Sequence, residues 1–166
     1  MEKLNAGFIW KIKEYSPNGD VVGVEEVHNI IPIEGLDYIL SAALKKGTQH
    51  DAFYVGLYEG NYTPIPGDTM ASFPTSATEL TAYTSATRPV LTLGDVGGGN
   101  VDNFDEVAVF TGTTNGKQAQ GGFITTASAK GGTTGPLLSA VKFPTPRNLS
   151  NGGRIEVAVA FQFVSI

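Results

Sequence analysis

Over residues 154–164 the chain alternates with a period of two. Ile155, Val157, Val159, Phe161 and Phe163 fall on one face, and Glu156, Ala158, Ala160 and Gln162 on the other. That period belongs to a β-strand, and a strand with one apolar face needs both a sheet and a second layer to cover it. The opposite face is small rather than charged, so another layer or chain can cover it as well. Residues 8–15 alternate in the same way, with Phe8, Trp10 and Ile12 opposite Lys11 and Lys13. Ser16-Pro17-Asn18-Gly19 has turn chemistry. Residues 20–27 then return with Val22 and Val24 on one face, so the N-terminal segment reads as a β-hairpin.

One segment departs from this period. Between residues 32 and 46, Leu36, Ile39, Leu40, Ala43 and Leu44 recur with the spacing of an amphipathic helix. Pro32 suits a first turn, while Glu34 and Asp37 complement the positive end of a helix dipole. Lys45 and Lys46 complement the negative end, and Gly47 is placed to take the left-handed conformation that stops a helix. The spacing predicts a helix near residues 33–46. Leu40 stands in the middle of its apolar stripe, so it is expected in the core.

Residues 52–58 read as a largely buried strand. Residues 59–86 form a long connection rich in Thr, Pro and small residues, with a short helical turn expected near 68–73. Connections of this length are often functional. Strand-like runs resume at 88–93, 104–110, 118–128 and 136–143, separated by Gly-rich loops at 94–103, 111–117, 131–135 and 148–153. No internal repeat and no linker divides the chain. With 21 Gly, 9 Pro, 17 Thr and 9 Ser in 166 residues, turns and small polar positions abound. The expected architecture is mainly β: a single domain over 1–166, an antiparallel β-sandwich, jelly-roll-like, with one helix.

Composition narrows the function classes. Hydrophobic residues make up 41 % of the chain and the net charge is only −5, which is not the signature of disorder. Cys is absent, which removes disulfides, thiolate metal sites and Cys nucleophiles. No apolar run is long enough to span a bilayer, and the first residues lack the apolar stretch of a secretory leader, so neither membrane nor signal peptide is expected. The acidic balance argues against a nucleic-acid partner.

The motifs that resemble chemistry fall short of it. Gly112-Thr113-Thr114-Asn115-Gly116-Lys117 has three residues between its glycines where a phosphate loop has four, and Gln118 stands where a Ser or Thr would bind magnesium. It reads as a hairpin turn. Residues 94–102 hold Asp95 and Asp102 among glycines, without the alternating ligands and closing Glu of a calcium loop. His28 and His50 are the only histidines and have no metal-ligand spacing. Glu25-Glu26 and Asp105-Glu106 are sequence neighbours, which point to opposite faces of a strand. The chain is therefore read as non-enzymatic, with no catalytic residue, metal or cofactor. Tyr58, Tyr62, Met70, Phe73 and Tyr83 cluster around the long connection. Large, stiff side chains of this kind anchor interfaces, and they can equally fold back to cap one end of the sandwich. The connection over 59–86, with the exposed face of an edge strand, is the expected binding surface.

Several short pieces, in order, carry a resemblance. They are His28-Asn29, then Glu34-Gly35-Leu36-Asp37-Tyr38-Ile39-Leu40, Tyr54-Val55-Gly56-Leu57-Tyr58, Asn61-Tyr62-Thr63-Pro64 and Asp68-Thr69-Met70-Ala71. Residues 79–83, Arg88-Pro89, Gly121-Gly122-Phe123 and Gly132-Thr133-Thr134-Gly135 follow. Over about residues 8–164 the chain resembles small virion proteins of tailed bacteriophages, including jelly-roll capsid decoration (cement) proteins. The resemblance implies a structural protein made in the bacterial host cytoplasm and carried on the capsid surface. Its partners would be the major capsid protein or other virion proteins, with self-association on the particle. Such a protein binds across neighbouring capsid subunits and stabilises the head. The alternative within the same resemblance is a tail-fibre or receptor-binding module.

Overall fold

A computed structural model describes residues 4–165. Its frame is the pairing of the two alternating segments found at opposite ends of the sequence. Strand β1 (Leu4–Tyr15) and strand β9 (Arg154–Ser165) run antiparallel from Leu4 opposite Ser165 to Tyr15 opposite Arg154. Strand β2 (Val21–His28) folds back on the other edge of β1 through a turn in which Gly19 takes φ +90°. On the far edge of β9, strands β5 (Asn100–Asp102) and β6 (Ala108–Thr111) pair with it end to end. The second antiparallel sheet has the order β4 (Glu79–Leu80), β3 (Tyr54–Tyr58), β7 (Gln118–Thr125), β8 (Leu137–Asn148). The two sheets pack as a β-sandwich.

The core follows the alternation. Trp10 and Ile12 from β1, and Ile155, Val157 and Val159 from β9, are buried against Val55, Leu57, Ile124 and Val141 of the other sheet. Trp10 is fully buried, and its indole N–H donates to Ser139 Oγ across the sandwich at 3.1 Å. Its ring lies so close to β7 that a Cβ on Gly122 would stand 2.6 Å from it. Burial fades toward the end of β9, where Phe161 is half-buried and Phe163 exposed.

Several predicted strands differ from what forms; β7, expected over 118–128, ends at Thr125. Residues 88–93 make only one bridge, Val90 to Tyr54, because Pro89 has no N–H for a further rung and Arg88 turns into the interior. In the run over 104–110 only β6 is a strand. Between β5 and β6 the Asn103 side chain replaces the missing backbone rungs, accepting from Val159 N–H at 2.6 Å and donating to Val157 C=O at 3.3 Å. Strand β8 runs further than expected, through Pro144 and Pro146. Both fall where its register against β7 breaks, a place where a missing N–H does little harm.

Valines of β2 also face the other way from a core strand. In the β1 register Val24 lies opposite Lys13 on the outer face, and Val21, Val22 and Val24 are all more than half exposed. The inward positions are Gly23, Glu25 and Val27. Glu25 and Glu26 do point to opposite sides, as neighbours in a strand must.

Helix α1 (Ile33–Leu44) forms where the period changes. It ends two residues early: Lys46, not Gly47, takes the left-handed conformation, at φ 55°. Gly47 is still required there, since its N–H donates back to Ser41 C=O at 2.9 Å and a Cβ would collide with the Ser41 side chain. The face that α1 buries is a correction. Leu40 is 55 % exposed, and Leu36 and Leu44 are exposed with it. The sandwich side carries Gly35, Tyr38, Ile39 and Ala42. Two contacts set this roll. A Cβ on Gly35 would lie 2.7 Å from Leu137 C=O and 2.8 Å from Leu138 C=O, so the helix rests on the backbone of β8. The Glu34 carboxylate accepts from both Met70 N–H and Leu137 N–H at 2.8 Å. Leu40→Asp is therefore expected to shift stability by no more than about 0.5 kcal/mol at low protein concentration. Gly35→Val, which must lift the helix from β8, is expected to cost about 1–3 kcal/mol. Denaturant melts of the two variants check the order; a Leu40→Asp variant that unfolds would return the leucine stripe to the core.

A second helix, α2 (Phe73–Ser76), stands at the end of the turn expected over 68–73, displaced toward the C-terminus. No helix among the described residues is long and apolar enough to cross a membrane.

Candidate functional site

The long connection is the first place to test. It lies over the outer face of the four-stranded sheet. There Tyr58, Met70 and Phe73 are fully buried in a second apolar cluster with Phe123, Leu137 and Ala140, and Tyr62 packs against its edge. Phe73 is the hub, with its ring 5.6 Å from Tyr58, 5.8 Å from Tyr62 and 5.4 Å from Phe123, each edge-on. Glycines on the sheet make the space. A Cβ on Gly56 would collide with the Phe123 ring, and one on Gly121 with the Tyr58 phenol. Strand β3 is consequently covered on both faces, which is why its sequence lacks alternation.

This corrects the expected interface set. Tyr58, Met70 and Phe73 cap the protein's own sheet, Tyr62 joins them, and Tyr83 lies in the main core with its ring 5.0 Å from Phe110. A folded chain cannot offer the buried Tyr58, Met70, Phe73 or Tyr83 to a partner, whereas Tyr62 is half-buried. Aromatic content alone does not separate a cap from an interface, since both need large rigid side chains.

Polar groups fasten the cap. Tyr62 O–H donates to Asp68 Oδ1 at 2.6 Å, and Asp68 Oδ2 accepts from Ile65 N–H at 2.8 Å. That hydrogen bond, with burial and the Asp68 charge behind it, pushes the Tyr62 phenol up to about 12. Burial, then the Asp68 charge, pushes the Tyr58 phenol up as well. Both tyrosines stay neutral through the physiological range, as suits structural donors. The C-terminal part of the connection is held by an ion pair. Arg88 is fully buried and meets Glu79 bidentately at 2.8 and 2.7 Å. Two more of its N–H groups donate to Ala127 C=O at 2.8 Å and Gly132 C=O at 2.9 Å, and Glu79 Oε2 accepts from Gly131 N–H at 2.8 Å.

A second charged cluster joins the two sheets. Arg147 of β8 contacts Glu14 of β1 at 3.9 Å and pairs closely with Glu25 of β2. Sequence reading missed it, although a signal was present. Glu14 continues the register of Phe8, Trp10 and Ile12, so a carboxylate stands on an otherwise apolar face. Two carboxylates from different strands are thus brought together, with one guanidinium against both that offsets part of their charge between the sheets. Among the described residues, no group of three or more His, Asp or Glu gathers to hold a metal ion. Residues 112–117 form the turn between β6 and β7, with Gly116 at φ 77°.

Three features remain open to a ligand or partner. A cavity of about 380 Å³ lies between α1 and one end of the sandwich, walled by Phe8, Tyr38, Ile39, Phe53 and Phe161, with His50 beside it. The Tyr38 ring is 6.2 Å from Phe53 and 5.6 Å from His50, and its hydroxyl accepts from His50 N–H at 3.3 Å. Along the edge strand β2, Val24 faces outward beside the Lys11–Glu26 pair, with Val21 and Val22 exposed at the start of the strand. On α1 the leucine stripe faces solvent. No protein family, curated protein or solved structure matches the chain.

Proposed function

We propose that this chain is a non-enzymatic structural protein of a tailed-phage virion, acting as a capsid decoration protein that binds across neighbouring major capsid subunits. The observation that carries the reading to a surface is the edge strand β2. Val24 is 66 % exposed on the outer face of an edge strand, and Val21 and Val22, at the bulge where that strand begins, are 52 % and 57 % exposed, an arrangement that adheres to another protein rather than to water. The resemblance in the ordered motifs supplies the virion setting. A protein that binds only the joined state of two subunits stabilises that state by its differential affinity, and many copies on a shell multiply the effect.

The runner-up is a tail-fibre or receptor-binding module. The aromatic-walled cavity beside α1 favours it, because concave aromatic sites hold ligands. One experiment separates the readings: electron microscopy of purified virions carrying this protein with a label. Label over the head shell supports decoration. Label confined to tail appendages moves the function to the second reading, and particles without the protein overturn both. Within the first reading, Val22→Lys with Val24→Lys is expected to weaken binding to protein-depleted heads at least tenfold while leaving the melt unchanged. Unaltered binding would remove β2 as the contact.

A further inference from the structure

Three Asn-Gly pairs stand in exposed turns: Asn18-Gly19, Asn115-Gly116 and Asn151-Gly152. Sequence does not rank them, since glycine follows each asparagine. Their surroundings do. Gly19 N–H closes its own turn on Ser16 C=O at 2.9 Å, and Gly152 N–H donates to Gly112 C=O at 3.0 Å. Gly116 N–H finds no acceptor among the described residues, and nothing beyond its chain neighbours stands within 4 Å of where its Cβ would be. The Asn115 side chain does have a partner: Asn151 N–H, from the turn between β8 and β9, donates to Asn115 Oδ1 at 3.0 Å. We propose that Asn115-Gly116 is a site of self-modification, at which the folded chain converts its own asparagine to aspartate and isoaspartate.

The reaction is the attack of a backbone nitrogen on the side chain before it. Base in the solvent takes the Gly116 N–H proton, and that nitrogen bonds to Asn115 Cγ. The tetrahedral intermediate carries its negative charge on Oδ1. It collapses as the Cγ–Nδ2 bond breaks, and Nδ2 leaves as ammonia with a proton from water. One water then opens the five-membered succinimide ring. Opening at the side-chain carbonyl gives aspartate. Opening at the main-chain carbonyl gives isoaspartate, whose backbone runs through the former side chain and lengthens the turn between β6 and β7. Three features favour this pair over the other two. The Gly19 and Gly152 nitrogens must each surrender a hydrogen bond before they attack, and the Gly116 nitrogen surrenders none. Asn151 N–H already points at the oxygen on which charge develops, so it stabilises the intermediate as an oxyanion-hole donor does. The open space around Gly116 leaves the turn free to bring nitrogen and Cγ together. The rate is thus set by the fold, with no second protein required.

The purified full chain alone suffices for the test, whatever its place on or off a virion. Folded protein is held at mildly alkaline pH, and a parallel sample is held in denaturant. Peptide mass spectrometry then follows the amide-to-acid change at each of the three pairs. In denaturant the three are expected to react at similar rates, because each has the same residue after asparagine. In the folded chain Asn115 is expected to react at least about tenfold faster than Asn18 or Asn151. Asn151→Pro then removes the donor without touching the reacting pair. Position 151 is the first central residue of a turn closed by Gly153 N–H on Ser150 C=O at 3.0 Å, with Gly152 at φ 78°, and such a position accepts proline. The variant is expected to keep its melt while the lead of Asn115 over Asn18 falls at least about threefold. A folded chain in which Asn18 or Asn151 reacts as fast as Asn115 overturns the proposal. So does an Asn115 that reacts more slowly in the folded chain than in denaturant, or an Asn151→Pro protein with the natural melt and an undiminished lead. If the proline variant fails to fold, the three rates in the natural chain decide by themselves.

Discussion

Replacing Arg88 by Leu is expected to cost about 3–5 kcal/mol, the largest loss for any single charged residue in this protein. The guanidinium is fully buried and makes four hydrogen bonds: two to Glu79, the others to Ala127 C=O and Gly132 C=O. Removing it leaves the Glu79 carboxylate buried without a counter-charge, and two carbonyls without donors. Glu79→Leu does the converse and also strips Gly131 N–H of its acceptor. In a chain of this length such a loss lowers the melting temperature by about 6–20 °C. The double variant Glu79→Leu with Arg88→Leu is expected to be less damaging than the sum of the singles by at least about 1 kcal/mol, because neither charge is then stranded. Urea denaturation of the four proteins gives the coupling. Additive losses would show that the two side chains act separately, and an Arg88→Leu variant as stable as the natural chain would mean that the site admits water.

Phe73→Ala is expected to destabilise by about 3–5 kcal/mol, as loss of a fully buried aromatic does elsewhere. Its ring touches Tyr58, Tyr62 and Phe123, so the vacancy sits at the centre of the second cluster rather than at its rim. Tyr62→Ala, at the half-buried edge, is expected to cost less. This ranking separates a cap from a binding loop. A cap loses melting temperature in the isolated protein. A binding loop keeps its melt and loses affinity instead. A Phe73→Ala protein that melts within about a degree of the natural one would restore the connection as an interface.

The parts of this fold legible from sequence are those whose neighbours are near in sequence or whose period is unambiguous. β1 and β9 announce themselves because each alternates, with large apolar side chains on one face only. The N-terminal hairpin follows from Pro17 and Gly19. What periodicity cannot convey is a strand dry on both sides: β3 reads as buried, but nothing in it names the layer that covers its outer face. Nor can it show that Asn103, a polar residue in a loop, serves as a rung for β9. The candidate site suffered most. Tyr58, Met70 and Phe73 were legible as a cluster, yet their direction depended on Gly56 and Gly121, residues whose contribution is empty space.

Helix α1 shows where the boundary lies. Its existence was set by the sequence alone: apolar residues at helical spacing and Pro32 before the first turn. Which side of it faces inward was decided only in three dimensions. Apolar residues occupy more than half of its circumference, so either the stripe through Leu36, Leu40 and Leu44 or the one through Gly35, Ile39 and Ala42 could have met the sheet. The second meets it because a missing side chain at Gly35 lets the helix settle on the backbone of β8, and because Glu34 there finds two N–H donors that β8 and the long connection leave unpaired. Hydrophobicity counts how much surface a helix can bury. Close approach and hydrogen bonding to particular neighbours determine which part of that surface it does bury.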